Sequence, residues 1–377
     1  MKTSACYCGN TLFFLNTSCQ ICNRQVGFLP DQLRLSALDP ESDAFKPVSP
    51  GVARGYYKLC RNQIDYNVCN WLIPAHSEDE YCIACSLNRT IPDLTIPLNL
   101  EYWARLEVAK RHTVYSLLSL HLPVISKHKD EVRGLVFDFL ADKDPESEFT
   151  EPLPDQKPVL TGHADGVVTL NIAEADEVAR TRIRRHLGEQ YRTLLGHFRH
   201  EIGHYYWQLL VADGPHLTAF RQLFGDEQAD YGEALQHHYN EGPPPDWQEN
   251  YISFYATAHP WEDWAECWAH YLHMVDTLET AADFGMEIYD RILRQRPTKE
   301  KVGMIAAPGS NFDVMIEDWL RLSVAINALN RSMGMPDAYP FVIVDPVRDK
   351  LRLVHGIIQA SRIKPKKSWL PGRKKKG

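Results

Sequence analysis

Apolar residues recur at helical spacing from about Leu98 to Leu122, and again over about 176–187, 189–212, 261–278, 311–333 and 345–360. A spacing of three to four residues places such side chains on one helix face, so each stretch predicts a helix with a buried stripe. Two segments follow another rhythm. EVRGLVFDFLAD (131–142) is rich in β-forming residues, and GVVTLNI (166–172) alternates, so both predict strands. KDPESEFTEPLPDQKP (143–158) and GPPPDW (242–247) are crowded with proline and acidic residues and predict breaks. Between Gly214 and Tyr255 the pattern is mixed. Ahead of these, residues 28–60, rich in Pro, Ser and Asp, predict connecting loops with little helix. Pro92 and Pro97 punctuate the approach to the first long helix, which places a domain boundary near residue 95.

The expected fold class is therefore α+β: a small, loop-rich β region over 1–95, then a mostly helical domain with a small sheet over 96–361. The 377 residues are enough for two or three domains. No apolar run reaches the ~18 residues a membrane span needs. The start, MKTSACYCGN, lacks the basic-then-apolar pattern of a secretory signal, so a cytoplasmic protein with no membrane partner is expected. The net charge of −8 gives no general attraction to nucleic acid. Residues 362–377 depart from this. They carry Lys364, Lys366, Lys367, Arg373, Lys374 and Lys375 with no acidic residue, and read as a solvated, disordered tail. An anionic partner is its second reading.

Cysteine placement sharpens the picture. Eight of the nine cysteines fall within the first 85 residues. A reducing compartment disfavours disulfides, and thiolates in fours suit tetrahedral zinc. The first set is Cys6, Cys8, Cys19 and Cys22, with Gly9 allowing the backbone to turn beneath the metal. The second is Cys60, Cys69, Cys82 and Cys85, whose first pair is spaced more loosely than a standard knuckle. Structural or redox thiols, including an iron–sulfur cluster, are the alternative. Closed zinc sites would serve folding, because so short a segment buries too little apolar surface to hold itself together. Cys267, alone downstream, reads as a small buried hydrophobe.

Within the 189–212 helix lies His200-Glu201-Ile202-Gly203-His204. Histidines at i and i+4 share a helix face and can reach one metal. Glu201 projects about 100° round the helix, beside the open coordination position. There it can take a proton from a zinc-bound water and deliver it to the leaving amine. Gly203 costs about 1 kcal/mol relative to Ala in mid-helix, which suits a place where something must approach closely. The bare motif can arise by accident, and solvated or core histidines are the bland alternative. The apolar spacing of Leu194, Leu195, Phe198, Ile202 and Leu209 argues instead for a buried helix with one polar face.

A catalytic zinc needs a third protein ligand. Glu262, 58 residues after His204, leads, and Glu266 lies one turn further on the same face. Glu266 is expected to accept the free N–H of a ligand histidine and fix its tautomer. Glu266 itself, His259, His270 and His273 remain alternatives for the metal. Tyr255 is the candidate oxyanion donor, with Tyr251, Tyr231 and His270 competing. Strand 166–172 is a candidate edge strand along which an extended peptide could pair.

HFRHEIGHYYW, the segment Asp226-Glu227-Gln228-Ala229-Asp230-Tyr231 and HPWEDWAECWAHYLH together resemble a bacterial family of zinc-binding metallopeptidases whose members carry an N-terminal zinc-ribbon region. CYCGN…CQIC and the Cys82–Cys85 pair match that region, so the resemblance covers roughly residues 5–360. More broadly it is a resemblance to gluzincins, zincin-like enzymes in which a downstream glutamate completes the H-E-x-x-H site. It implies His200, His204 and Glu262 as ligands of one catalytic zinc, Glu201 as base and two structural zincs in the cysteine sets. A tyrosine shortly before the ligand glutamate occurs in some gluzincins, which is why Tyr255 ranks first. The implied activity is peptide-bond hydrolysis on a peptide or protein substrate. Two other readings stay open. One is a zinc-ribbon protein that binds nucleic acid or a protein partner, with a helical scaffold lacking catalysis; the retained Glu201 argues against it. The other is a zinc hydrolase of a non-peptide amide.

Overall fold

A computed structural model describes residues 2–141, 159, 161–178, 180–181, 193–286 and 309–363. The expected 143–158 loop, residues 179 and 182–187 of one expected helix, 189–192 of the next and the tail beyond 363 lie outside the described residues. The chain divides into two compact units. One comprises 1–86, 114–124 and 361–377; the other comprises 87–113 and 125–360.

In the first unit, a short ladder, β1 (Ser4–Ala5) with β2 (Thr11–Leu12), precedes a five-stranded antiparallel sheet. Its strands are β3 (Val26–Leu29), β4 (Arg34–Glu41), β5 (Ala44–Pro47), β6 (Tyr57–Leu59) and β7 (Leu72–Pro74), in that order. The loops expected over 28–60 are therefore largely a sheet. Pro40 misled because proline is normally kept out of ladders. Here β4 pairs with β3 only over Arg34–Ala37 and with β5 over Leu38–Glu41, so Pro40 faces no β3 partner and its missing N–H leaves no ladder bond unmade there. Leu33 and Ser42, at φ +50° each, make the turns into and out of β4. Leu29, Leu38, Tyr57 and Leu72 form one apolar cluster, and Phe14, Phe28, Trp71 and Tyr115 form an aromatic one.

Between Cys60 and Cys69 stands α1 (Arg61–Tyr66), ended by Asn67 in the left-handed region at φ +56°. The loose spacing of that cysteine pair thus accommodates a short helix.

The second unit has a four-stranded sheet in the order β10 (Gly162–Ala164), β11 (Val167–Asn171), β9 (Val136–Leu140), β8 (Asn88–Thr90). β11 runs antiparallel to β10 and parallel to β9, and β9 parallel to β8. The strand expected over 166–172 is therefore interior, not an edge. Among the described residues the edge beside it is β10. The tight turn Asp165-Gly166, with both residues at positive φ, doubles the chain back so that three residues cover what would otherwise be an open strand.

Besides residues 97–113 of α2 (Pro97–Ser119), the helices of this unit are α3 (Leu194–Leu210), α4 (Leu217–Phe224), α5 (Tyr231–Glu241), α6 (Pro260–Asp283), α7 (Phe312–Ser332) and α8 (Asp345–Ala360). The segment with no single period resolves into α4 and α5. The pair α3 and α6 positions the site. Gly203 is where they meet: a Cβ there would lie 2.9 Å from Ala265 Cα and 3.2 Å from Trp268 Cβ, so only glycine fits without a shift. Trp264 Nε1 donates to Gly203 O at 2.9 Å, and Tyr206 stacks on Trp268 at 4.8 Å. A buried ion pair at 2.7 Å, Asp263 on α6 with Lys350 on α8, locks α6 from behind. No helix among the described residues is long and apolar enough to cross a membrane.

Candidate metal centre

Thr193 caps α3, its hydroxyl accepting from Gly196 N at 3.0 Å, so the helix is well under way before the two histidines. His259 caps α6 by accepting from Trp261 N at 3.1 Å, and Pro260 opens the helix. Glu262 therefore sits in the first turn of α6, where the helix dipole favours a carboxylate. The packing at Gly203 brings that turn against α3.

There the side chains converge. His200 Nε2 lies 2.9 Å from Glu262 Oε2 and 3.2 Å from His204 Nε2; His204 Nε2 lies 3.5 Å from Glu262 Oε2. Donors about 2.0–2.1 Å from a tetrahedral zinc stand about 3.3 Å apart, so this triangle has zinc dimensions. The chemistry agrees. Glu266 Oε1, 2.7 Å from His200 Nδ1, can only accept, so Nδ1 carries the hydrogen and Nε2 presents a lone pair. That lone pair faces a carboxylate oxygen and a second imidazole nitrogen. Burial works against a charge on His200, yet the carboxylates of Glu262 and Glu266 push its pKa well above the ordinary value, so without a metal a second proton takes the Nε2 lone pair that a cation would otherwise use. Glu262 is held well below the carboxylate range by His204 and His200 in spite of its burial. Three acceptors around one point call for positive charge at their centre, and a divalent cation meets that need.

Glu201 lies beside this triangle. Burial would raise its carboxyl, but the facing His197, and then His200 and His204, more than offset this and hold it below the usual range. It is an ionised base in a dry wall.

The two tyrosines differ. Tyr231 donates its hydroxyl to Glu262 Oε1 at 2.7 Å. It reaches Glu262 because Asp230 caps α5 (Oδ1 to Glu233 N, 2.8 Å) and Asp226 closes the preceding turn (Oδ1 to Gln228 N, 3.0 Å). The D-x-x-x-D-Y segment is thus the mount of the tyrosine that holds Glu262. Tyr255, in a turn just before α6, packs its ring 5.8 Å from that of His200, and no described residue hydrogen-bonds its hydroxyl. Burial, then the Glu262 charge, pushes its pKa well up, so it stays a protonated donor.

The competitors are engaged elsewhere. His259 spends its second nitrogen on Ala229 O at 3.1 Å, His270 bonds Tyr339 at 2.8 Å, and His273 faces Arg199 at 2.6 Å. Tyr251 lies beneath the Lys350 ammonium, 4.3 Å from its ring centre. Two further residues stand at the site that the reading of the sequence did not single out. His163, on β10, stacks parallel to His204 at 6.4 Å, and burial followed by His204 pushes its pKa down to about 4. His197 stands one turn ahead of Glu201; its i,i+4 spacing was the available clue.

The cysteine sets also gather. Cys6–Cys22 and Cys8–Cys19 sulfurs are 3.6 Å apart, and Cys69–Cys82 3.7 Å. Sulfurs about 2.3 Å from a shared zinc lie about 3.8 Å apart. In each set all four cysteines converge. Gly9, at φ +88°, supplies the knuckle turn. Backbone N–H groups of Cys22 and Ile21 aim at Cys19 and lower its thiol to about 6, ready to ligate as thiolate. Backbone N–H groups of Trp71, Cys82 and Cys85 point at the sulfurs of Cys69, Cys60 and Cys82 at 3.4 Å. Cys267 is buried, and its thiol donates to Asp263 Oδ1 at 3.7 Å.

Comparison with known proteins adds three findings. Residues 99–357 match a family model described as "Putative zinc-binding metallo-peptidase", and residues 3–96 match a zinc-ribbon domain. Uncharacterized proteins of Mycobacterium bovis and of two strains of Mycobacterium tuberculosis are each 38% identical over 352 residues, 93% of this chain and 93% of theirs. No solved structure matches.

Proposed function

The chain belongs to that family of zinc-binding metallo-peptidases, and from this premise we propose that it hydrolyses peptide bonds at a zinc ion held by His200, His204 and Glu262. The observation that carries the reading is the triangle of mutually facing acceptors with an ionised Glu201 beside it. Zinc, when bound, supplies Lewis acidity toward water and the scissile carbonyl.

The remaining work falls to side chains. Glu201 takes a proton from the attacking water and returns it to the departing amine, so the base of the first step is the acid of the second. Tyr255 donates to the carbonyl oxygen as negative charge develops there; its hydroxyl has no partner among the described residues to give up first. Glu266 holds His200 in the tautomer that offers Nε2, and Tyr231 holds the second oxygen of Glu262. The edge strand β10 offers main-chain groups to an extended peptide, the part first expected of 166–172. The two cysteine sets each hold a structural zinc, giving one catalytic and two structural ions.

Unfolded casein incubated with the zinc-loaded protein tests the reading. Cleavage is expected in wild type, abolished by a zinc chelator and reduced at least about a hundredfold in Glu201→Gln. Equal cleavage by Glu201→Gln would refute it.

A further inference from the structure

Behind Glu201 runs a chain of side chains that the proposed reaction leaves unused. Thr161 donates its hydroxyl to Glu174 Oε1, and Glu174 Oε2 bonds His197 Nδ1. His197 Nε2 then lies 3.2 Å from Glu201 Oε1. His197 precedes Glu201 by one turn of α3, so both project from one face. The side chains of His197, Glu174 and Glu201 are 13%, 8% and 7% exposed, which makes these contacts their surroundings in place of water. Glu174 is itself held. It lies in the 3-10 turn Ile172–Ala175 after β11, where the Asn171 side chain accepts from Ala173 N at 3.0 Å.

The ring thus stands between two carboxylates, with Nδ1 against Glu174 and Nε2 against Glu201. A ring held at both ends has one orientation. The terminal torsion of a glutamate is otherwise broad and roughly two-fold, and a base must meet its water within a few tenths of an ångström.

We propose that His197, anchored by Glu174, is a positioning residue that pins one carboxylate oxygen of Glu201 and leaves the other to face the attacking water. This deepens the reading of Glu201 as the base and rests on it.

The test has two arms, so the two claims can fail separately. The first needs no activity: crystal structures of the zinc-loaded full chain as wild type, His197→Gln and His197→Phe. The glutamine amide can donate where Nε2 does; phenylalanine cannot. Glu201 is expected in one conformer in wild type and His197→Gln, and rotated or split in His197→Phe. An unmoved, single Glu201 conformer in His197→Phe overturns the proposal. Should that variant not fold, Glu174→Ala frees the ring from its other end and carries the same expectation.

The second arm uses zinc-loaded protein and a quenched-fluorescent peptide mixture. His197→Phe is expected to lower kcat ten- to a hundredfold with KM and zinc content unchanged, and His197→Gln to regain most of it. Unchanged kcat in His197→Phe overturns positioning. Full activity in Glu201→Gln overturns the base reading that the proposal rests on.

Discussion

Two tyrosines touch the same glutamate field and should fail differently. Tyr231 spends its hydroxyl on Glu262 Oε1, whereas that of Tyr255 has no hydrogen-bond partner among the described residues. Removing a group that orients a metal ligand costs about ten- to a hundredfold in metal affinity. Tyr231→Phe is therefore expected to weaken zinc binding at the helical site by about that factor, read by chelator competition. Tyr255→Phe is expected to leave zinc affinity alone and lower kcat about tenfold or more. The reverse pattern would exchange their roles. At this scale the sequence was readable where spacing encodes proximity. His200 and His204 at i,i+4, and Glu262 with Glu266 on a second helix, announce themselves. Ranking Tyr255 above Tyr231 needed more, because a tyrosine's partner depends on how α5 starts, and that follows from Asp230 folding back on Glu233 N. His197 carried the same i,i+4 clue toward Glu201, but its other partner, Glu174, comes from a distant turn that no local pattern reveals.

Among the elements, the approach of α3 to α6 decides the geometry, and Gly203 permits it. Gly203→Ala gains about 1 kcal/mol of helix propensity but forces a methyl to 2.9 Å from Ala265 Cα, and overpacking of this kind costs about 1–3 kcal/mol. The variant is expected to lose roughly 1–2 kcal/mol in thermal or urea unfolding and to weaken zinc binding as Glu262 is displaced. A more stable variant with unchanged affinity would contradict the close-approach account. The long helices were legible because one buried stripe repeats in each. The sheet of the first unit was not, because Pro40 and Pro47 break the expected strand composition while the pairing partners that excuse Pro40 lie off the local sequence. The edge strand was misplaced for a related reason. β11 alternates well enough to be found, but three-residue β10 is too short to show a period, and it is β10 that occupies the rim.

For the molecule as a whole, the division into a zinc-ribbon region and a helical peptidase-family domain means two kinds of metal dependence in one chain. On the proposed function, the cysteine sets are closed and serve folding, and the histidine–glutamate set is open and serves chemistry. Cys85→Ser is expected to lose one zinc and lower the thermal stability of the first unit, while the helical site keeps its ion. Zinc counted per chain in the purified protein puts the central claim most directly at risk. About three ions are expected in wild type, about two in His200→Ala and about three in Glu201→Gln. Two ions in wild type, unchanged by His200→Ala, would contradict the account.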